Sequence, residues 1–320
     1  MRLRIGAFAL LLLTAGCAAN APLPPKAVDL NRAGIDALEQ GDLETADARF
    51  TLALEYSPKF VDALVNLALV EMQRGNFGRA RQLLERARRL NPDVAQPHHG
   101  LGVLAEREHR PDRASAHYAE ALRVDPGFAP ARANLARLLF EAGMFEHARG
   151  QFKRLVEVAP EEPLGYSGLA EALLRLGRIE EAEAVVATGV ERFPDRAELL
   201  ILAARSLIRR GQFEQAIIDL EPLSRPRNDS AAAALGWMAT AELASGRPEQ
   251  AASTAERAIR LDPHQPVAVY ALALALHETR APHARAWLER ASALAPGDAT
   301  LAQALETSRT PGRGGRQVRP

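Results

Sequence analysis

Cysteine is almost missing from this chain: Cys17 stands alone among 320 residues. One thiol cannot close an internal disulfide, so no cross-linked framework holds the fold. Aromatic residues make up only 5% of the sequence, while alanine, leucine, arginine and glutamate are abundant, a balance that favours helix over sheet. Charge of one sign is also lacking, with 40 basic and 40 acidic residues. Removal of residues 1–16 takes away Arg2 and Arg4 and no acid, leaving a net charge of −2. Such a balance carries no electrostatic footprint for nucleic acid. Long apolar runs are absent too. Ile5 to Leu13 is about half of the ~20 residues a spanning helix needs.

Catalytic and ligand-binding patterns are equally sparse. The eight histidines are scattered. His98 and His99 are adjacent, so on a helix they point about 100° apart and share a metal poorly. His277 and His283 bracket a turn without the carboxylates of a zinc pattern. Gly100-Leu101-Gly102 falls inside a helical stretch, where small residues serve packing rather than a phosphate loop. No metal, cofactor, small-molecule substrate or enzymatic activity is expected.

What the sequence does have is a beat. Pro58, Pro92, Pro126, Pro160 and Pro194 recur every 34 residues. Twelve positions before each stands a small residue: Ala46, Ala80, Ala114, Ala148 and Ala182. Eight positions before each stands an apolar one: Phe50, Leu84, Tyr118, Phe152 and Val186. In the fourth repeat Ala131, Leu135, Leu138 and Leu139 fall at i, i+4, i+7 and i+8, an apolar stripe on one helix face. The period and these marks resemble the tetratricopeptide repeat, a pair of antiparallel helices stacked on its neighbours. The resemblance implies an all-α solenoid of about eight repeats, 27–60, 61–94, 95–128, 129–162, 163–196, 197–231, 232–264 and 265–298. Stacking also relaxes the two-domain expectation that a length above 300 would raise.

Between the helices of most repeats sits a glycine, such as Gly41 and Gly75, where a helix end needs positive φ. His109 replaces it in the third repeat, which makes that turn less comfortable. From Pro194 to Pro263 is 69 residues, one more than two periods, and Pro222 is expected to cut a helix short before a longer loop. Residues 299–308 are expected to form a capping helix, and 309–320, rich in glycine and arginine, a disordered basic tail.

At the other end, Arg2 and Arg4, the apolar run, and Ala15-Gly16 form the three regions of a secretory signal peptide over 1–16. Leu13-Thr14-Ala15-Gly16-Cys17 resembles the lipobox of bacterial lipoproteins, with Thr14 where that family more often has leucine. The resemblance implies that Cys17 is lipidated on sulfur and acylated at its new N-terminus; the other reading is an incidental cysteine. Each buried methylene contributes ~0.8 kcal/mol, so several acyl chains hold where one is marginal. Ala18 after the cysteine resembles the sorting pattern of outer-membrane lipoproteins and implies a periplasm-facing location. Residues 17–26, with Pro22, Pro24 and Pro25, are expected to form an extended tether reaching roughly 30 Å.

In the repeat family, positions 2, 5, 6, 9, 12 and 13 of the first helix line a concave groove. That resemblance singles out Arg32, Asn66, His99, Asn134, Arg137, Glu171, Arg205, Trp237 and Tyr270 as candidate partner-binding residues. An asparagine amide both donates and accepts, which suits the backbone of an extended peptide. A guanidinium suits a carboxylate. Alternatively, the asparagines bond between neighbouring helices. Position 12 is mostly apolar: Leu38, Met72, Phe140, Leu174, Ile208 and Leu243. The Lys and Asn that let chaperone-type repeats clamp a peptide C-terminus are missing beside Asn66. The resemblance thus implies a lipid-anchored scaffold that binds proteins or peptides, in assembly of a pilus, secretin or outer-membrane proteins. An adaptor recruiting cell-wall hydrolases or polysaccharide-export components is the other reading.

Overall fold

In a computed structural model, residues 22–225 and 228–309 are described. They contain helices and no strand. The chain divides into two compact units, one reaching to Ala159 and one from Pro160 onward.

The first unit holds four helical hairpins: α1 (Pro25–Glu39) with α2 (Leu43–Tyr56), α3 (Val61–Gln73) with α4 (Phe77–Leu90), α5 (Ala95–Arg107) with α6 (Pro111–Val124), and α7 (Ala129–Glu141) with α8 (Phe145–Val158). The second holds α9 (Pro163–Arg175) with α10 (Ile179–Arg192), α11 (Ala197–Arg209) with α12 (Phe213–Leu220), α13 (Ala231–Ala244) with α14 (Pro248–Leu261), α15 (Pro266–Glu278) with α16 (Ala284–Leu294), and α17 (Ala299–Arg309). Odd-numbered helices α1 to α15 are the leading, or A, helices of their hairpins; their partners are the B helices.

Local chemistry sets the hairpin ends. Each A helix closes with the same pair of bonds. In α3, the Gly75 N–H donates to Met72 O at 3.1 Å and the Asn76 N–H reaches back to Glu71 O at 2.8 Å. This closure needs a left-handed residue just past the helix. Gly75 supplies it at φ 81°, and His109 and Arg280 are forced to it at φ 58° and 55°. The B helices end at the prolines. Except at Glu221 before Pro222, which stays helical, the residue before each is pushed out of the helical region by the proline ring, as at Ser57 (φ −142°, ψ 88°) and Asn91 (φ −145°, ψ 95°).

Small and large residues alternate across each hairpin. Ala46, Ala80, Ala114 and Ala148 are fully enclosed. Phe50, Leu84 and Tyr118 are enclosed beside them, and Phe152 nearly so. Pro222 does cut α12 short, at eight residues, and a 3-10 turn over Glu221–Ser224 follows. That turn drops Leu223 into the core between α12 and α13. At the end of the second unit, α17 covers Val269, Ala273 and Leu288 with Leu301, which is fully buried.

Two expectations need correction. The tether was expected to extend through Lys26, but α1 begins at Pro25, because proline at the first helical position loses no hydrogen bond. The basic tail was expected from Arg309, which is instead the last residue of α17. The signal peptide, Cys17 and residues 310–320 lie outside the described residues.

Candidate functional site

The candidate residues fall on A helices, and side chains about one repeat apart in sequence meet in space. In the first unit Asn66 of α3 is 4% exposed and donates its amide to Asn31 Oδ1 of α1 at 3.1 Å. Arg32, beside it in sequence, is exposed.

A larger cluster joins α5, α6 and α7. Tyr118 is fully buried because Gly102 has no side chain to keep its ring off α5. The Tyr118 hydroxyl donates to Glu106 Oε1, and the other oxygen of that carboxylate accepts from the Arg137 guanidinium. Arg137 donates also to Glu141 at 2.8 Å. Asn134 Nδ2 donates to the Tyr118 oxygen at 3.3 Å and lies 3.0 Å from His99 Nε2. Since the amide donates, His99 Nε2 accepts, and the ring proton sits on Nδ1. The imidazole packs 5.6 Å from the Tyr118 ring and edge-on to Phe128 at 5.5 Å. Burial lowers its pKa from 6.5 to about 4, so it is neutral at pH 7. Burial, then the Glu106 bond, raises that of Tyr118 well above a free phenol.

Glu106 was missed by the sequence reasoning, although a signal was there. It stands at position 12 of the third repeat, where the other A helices carry the apolar row.

In the second unit three candidates on successive A helices form a ladder. Arg205 of α11 donates to Glu171 of α9, and its guanidinium carbon lies 4.9 Å from the ring centre of Trp237 on α13. The side chains of Arg205 and Glu171 keep 21% and 32% of their exposure, so this ladder faces solvent along one edge. Tyr270 of α15 is partly buried and packs against the core that α17 covers, and burial raises its pKa above that of a free phenol.

The candidates thus separate into Asn66 with Asn31, the His99–Asn134–Arg137 cluster, the Glu171–Arg205–Trp237 ladder, and Arg32 and Tyr270 apart. Cys17 lies outside the described residues. Among the described residues no group of three or more His, Cys, Asp or Glu is placed to hold a metal ion. Nor is any helix among them long and apolar enough to cross a membrane.

Tetratricopeptide-repeat models match residues 37–102, 105–167, 151–199, 197–217 and 238–299. The type IV pilus assembly protein PilF of Pseudomonas aeruginosa is 32% identical over 100 residues, 31% of this chain and 38% of that protein. Mouse tetratricopeptide repeat protein 8 is 34% identical over 67 residues, 21% of this chain and 13% of that one. The chain therefore spans well under half the length of these relatives. Among solved structures, Pseudomonas aeruginosa pilF aligns with a TM-score of 0.56 at 22% identity, covering 69% of this chain and 96% of that one. A tetratricopeptide repeat protein from Parabacteroides merdae aligns at 0.54 and 18% identity, covering 79% and 100%. The repeats these models match account for more than half of the sequence, and the chain belongs to the tetratricopeptide repeat family.

Proposed function

We propose that this protein is a lipid-anchored scaffold of the bacterial envelope that holds partner proteins on its A helices during assembly of a pilus-type machine. The observation that carries the reading is the Glu171–Arg205–Trp237 ladder, a row of charged and aromatic side chains that keeps part of its surface in solvent. Arginine and tryptophan are the side chains that most often dominate protein interfaces. The pair is part-buried, so the guanidinium needs a carboxylate opposite it, and a partner's carboxylate can take the place of Glu171 without leaving Arg205 unpaired. Repeat proteins of this family are in general non-catalytic scaffolds. The similarity to a pilus assembly protein over 100 residues supports the choice of machine. The lipobox-like segment ending at Cys17 supports attachment to the outer membrane on its periplasmic side.

Photo-crosslinking in intact cells from position 237, with and without Arg205→Ala, tests the reading. Pilus or secretin components should be captured, and capture should fall at least about tenfold in the variant, while helicity stays unchanged. Capture that ignores Arg205→Ala moves the binding face elsewhere, and capture of cell-wall enzymes instead rejects the pilus assignment. Cys17→Ser should shift the protein from the membrane to the soluble fraction; retention in the membrane refutes the lipid anchor.

A further inference from the structure

A second site lies in the first unit, where the ends of α4 and α6 meet the start of α5. Arg88, Arg89, Pro92, His98, Glu120 and Arg123 line an open cavity of about 340 Å³. Arg89 and Arg123 are one 34-residue period apart, so the repeat brings two guanidinia to equivalent places on neighbouring B helices. The flanking repeats carry Glu55 and Glu157 at that place, so this basic pairing is local to repeats two and three.

His98 is the odd residue in this wall. It is only 6% exposed, yet it lines the cavity, and among the described residues no hydrogen bond reaches its imidazole. Its ring nitrogens keep access to the cavity rather than being sealed in the interior, so a group bound there can meet them. Burial lowers its pKa below the ordinary histidine value, so at pH 7 it is neutral with one N–H to donate. The charges around it are Glu85 and Arg88 from α4 and Glu120 and Arg123 from α6. His117 lies near it on α6, and Asp93 is within reach of Arg123.

Two of the three arginines are already engaged. Arg88 Nε donates to Glu85 at 3.0 Å, and Arg123 donates twice to Glu120, at 2.9 and 2.7 Å. Both pairs are short-range and solvent-exposed, with Arg123 keeping 69% of its side-chain exposure. Such pairs contribute little, so a doubly charged ligand can draw both arginines to itself. Arg89 is exposed and takes no ion pair or hydrogen bond among the described residues.

We propose that this cavity binds a phosphate group, held by Arg88, Arg89 and Arg123 and accepting a hydrogen bond from His98. Guanidinium forks match phosphate oxygens in pairs, and a tetrahedral anion uses several donors where a carboxylate is satisfied by one fork. The volume leaves room for whatever the phosphate is esterified to. Leu90, 37% exposed, follows Arg89 directly, so both a soluble phosphate ester and a lipid headgroup are compatible sources.

Calorimetric titration of the full chain carrying Cys17→Ser with inorganic phosphate, against sodium chloride at matched ionic strength, tests the site. Phosphate should give saturable heat, and Arg89→Gln with Arg123→Gln should weaken it at least about tenfold while far-UV circular dichroism stays the same. Both changes are on exposed side chains, so the test does not depend on the buried His98; His98→Gln adds a second reading if it folds. Sedimentation with phosphatidylglycerol vesicles, competed by phosphate and absent with phosphatidylcholine, identifies a headgroup ligand. Phosphate binding without vesicle retention identifies a soluble ester. Heat no greater than that of chloride, or equal titrations for parent and variant, overturns the site.

Discussion

Gly102 tests how the repeats are packed, because replacing it sets two opposing effects against each other. In an ordinary helix interior, Gly→Ala stabilises by ~1 kcal/mol. At Gly102 the added Cβ would sit 2.4 Å from Tyr118 Cε1, 2.7 Å from Cδ1 and 3.0 Å from Cζ. Those are ring atoms of a fully buried side chain, not the free end of a flexible one. The ring cannot slide without lengthening the bonds of its hydroxyl to Glu106 and Asn134. Overpacking of this kind costs ~1–3 kcal/mol, and a weakened hydrogen bond ~1 kcal/mol more. Gly102→Ala should therefore destabilise by ~1–3 kcal/mol after the helix gain is subtracted. Gly150, in the interior of α8, is the control: it is exposed, and a Cβ there meets nothing within 4 Å. Gly150→Ala should stabilise by ~0.5–1 kcal/mol. Urea unfolding followed by circular dichroism measures both. Amide exchange in α5 and α6 localises the loss, since stacked repeats need not unfold as one. Adding Tyr118→Leu to Gly102→Ala should make the extra methyl nearly harmless relative to Tyr118→Leu alone. If Gly102→Ala is as stable as the parent chain, the close approach of α6 to α5 is not what holds this hairpin.

Three further outcomes follow from the same geometry. The folded-state pKa of His99 is lowered from 6.5 to about 4, so between those values the unfolded chain binds a proton that the folded chain refuses. Stability should fall as pH drops from about 6.5 towards 4 and then stop falling on this account; urea midpoints for His99→Gln should lack this component. His109→Gly should stabilise by ~1 kcal/mol in thermal or urea unfolding, because a side chain held at φ 58° is strained and glycine is not. Asn66→Leu should destabilise by ~1–3 kcal/mol by leaving the buried Asn31 amide unpaired, while Asn31→Leu with Asn66→Leu recovers most of the loss; equal losses in single and double variants would deny the pair.

The ends of the hairpins were legible because they depend on single residues acting locally. A proline ring disfavours the helical region at the residue before it, and a left-handed turn needs a glycine or a strained substitute, both through local sterics. The direction of a polar side chain on an A helix is a different problem, since it depends on what the neighbouring A helix offers. Asn66 and Asn134 occupy the same place two repeats apart and are indistinguishable in isolation. Yet Asn66 finds the Asn31 carbonyl, and Asn134 finds His99 and the Tyr118 hydroxyl. Both asparagines reach a side chain 35 residues earlier, position 5 of one repeat meeting position 6 of the next. Glu171 and Arg205 are 34 apart, and Glu106 and Arg137 are 31 apart. In a stack of this period, then, polar residues near one repeat length apart on A helices satisfy each other first. Glu106 belonged to such a pair and was passed over because its row is otherwise apolar. What these internal pairings leave over is the exposed Arg32 outside the Asn31–Asn66 bond, the second arm of Arg137 on Glu141, and the solvent edge of the ladder at Arg205 and Trp237.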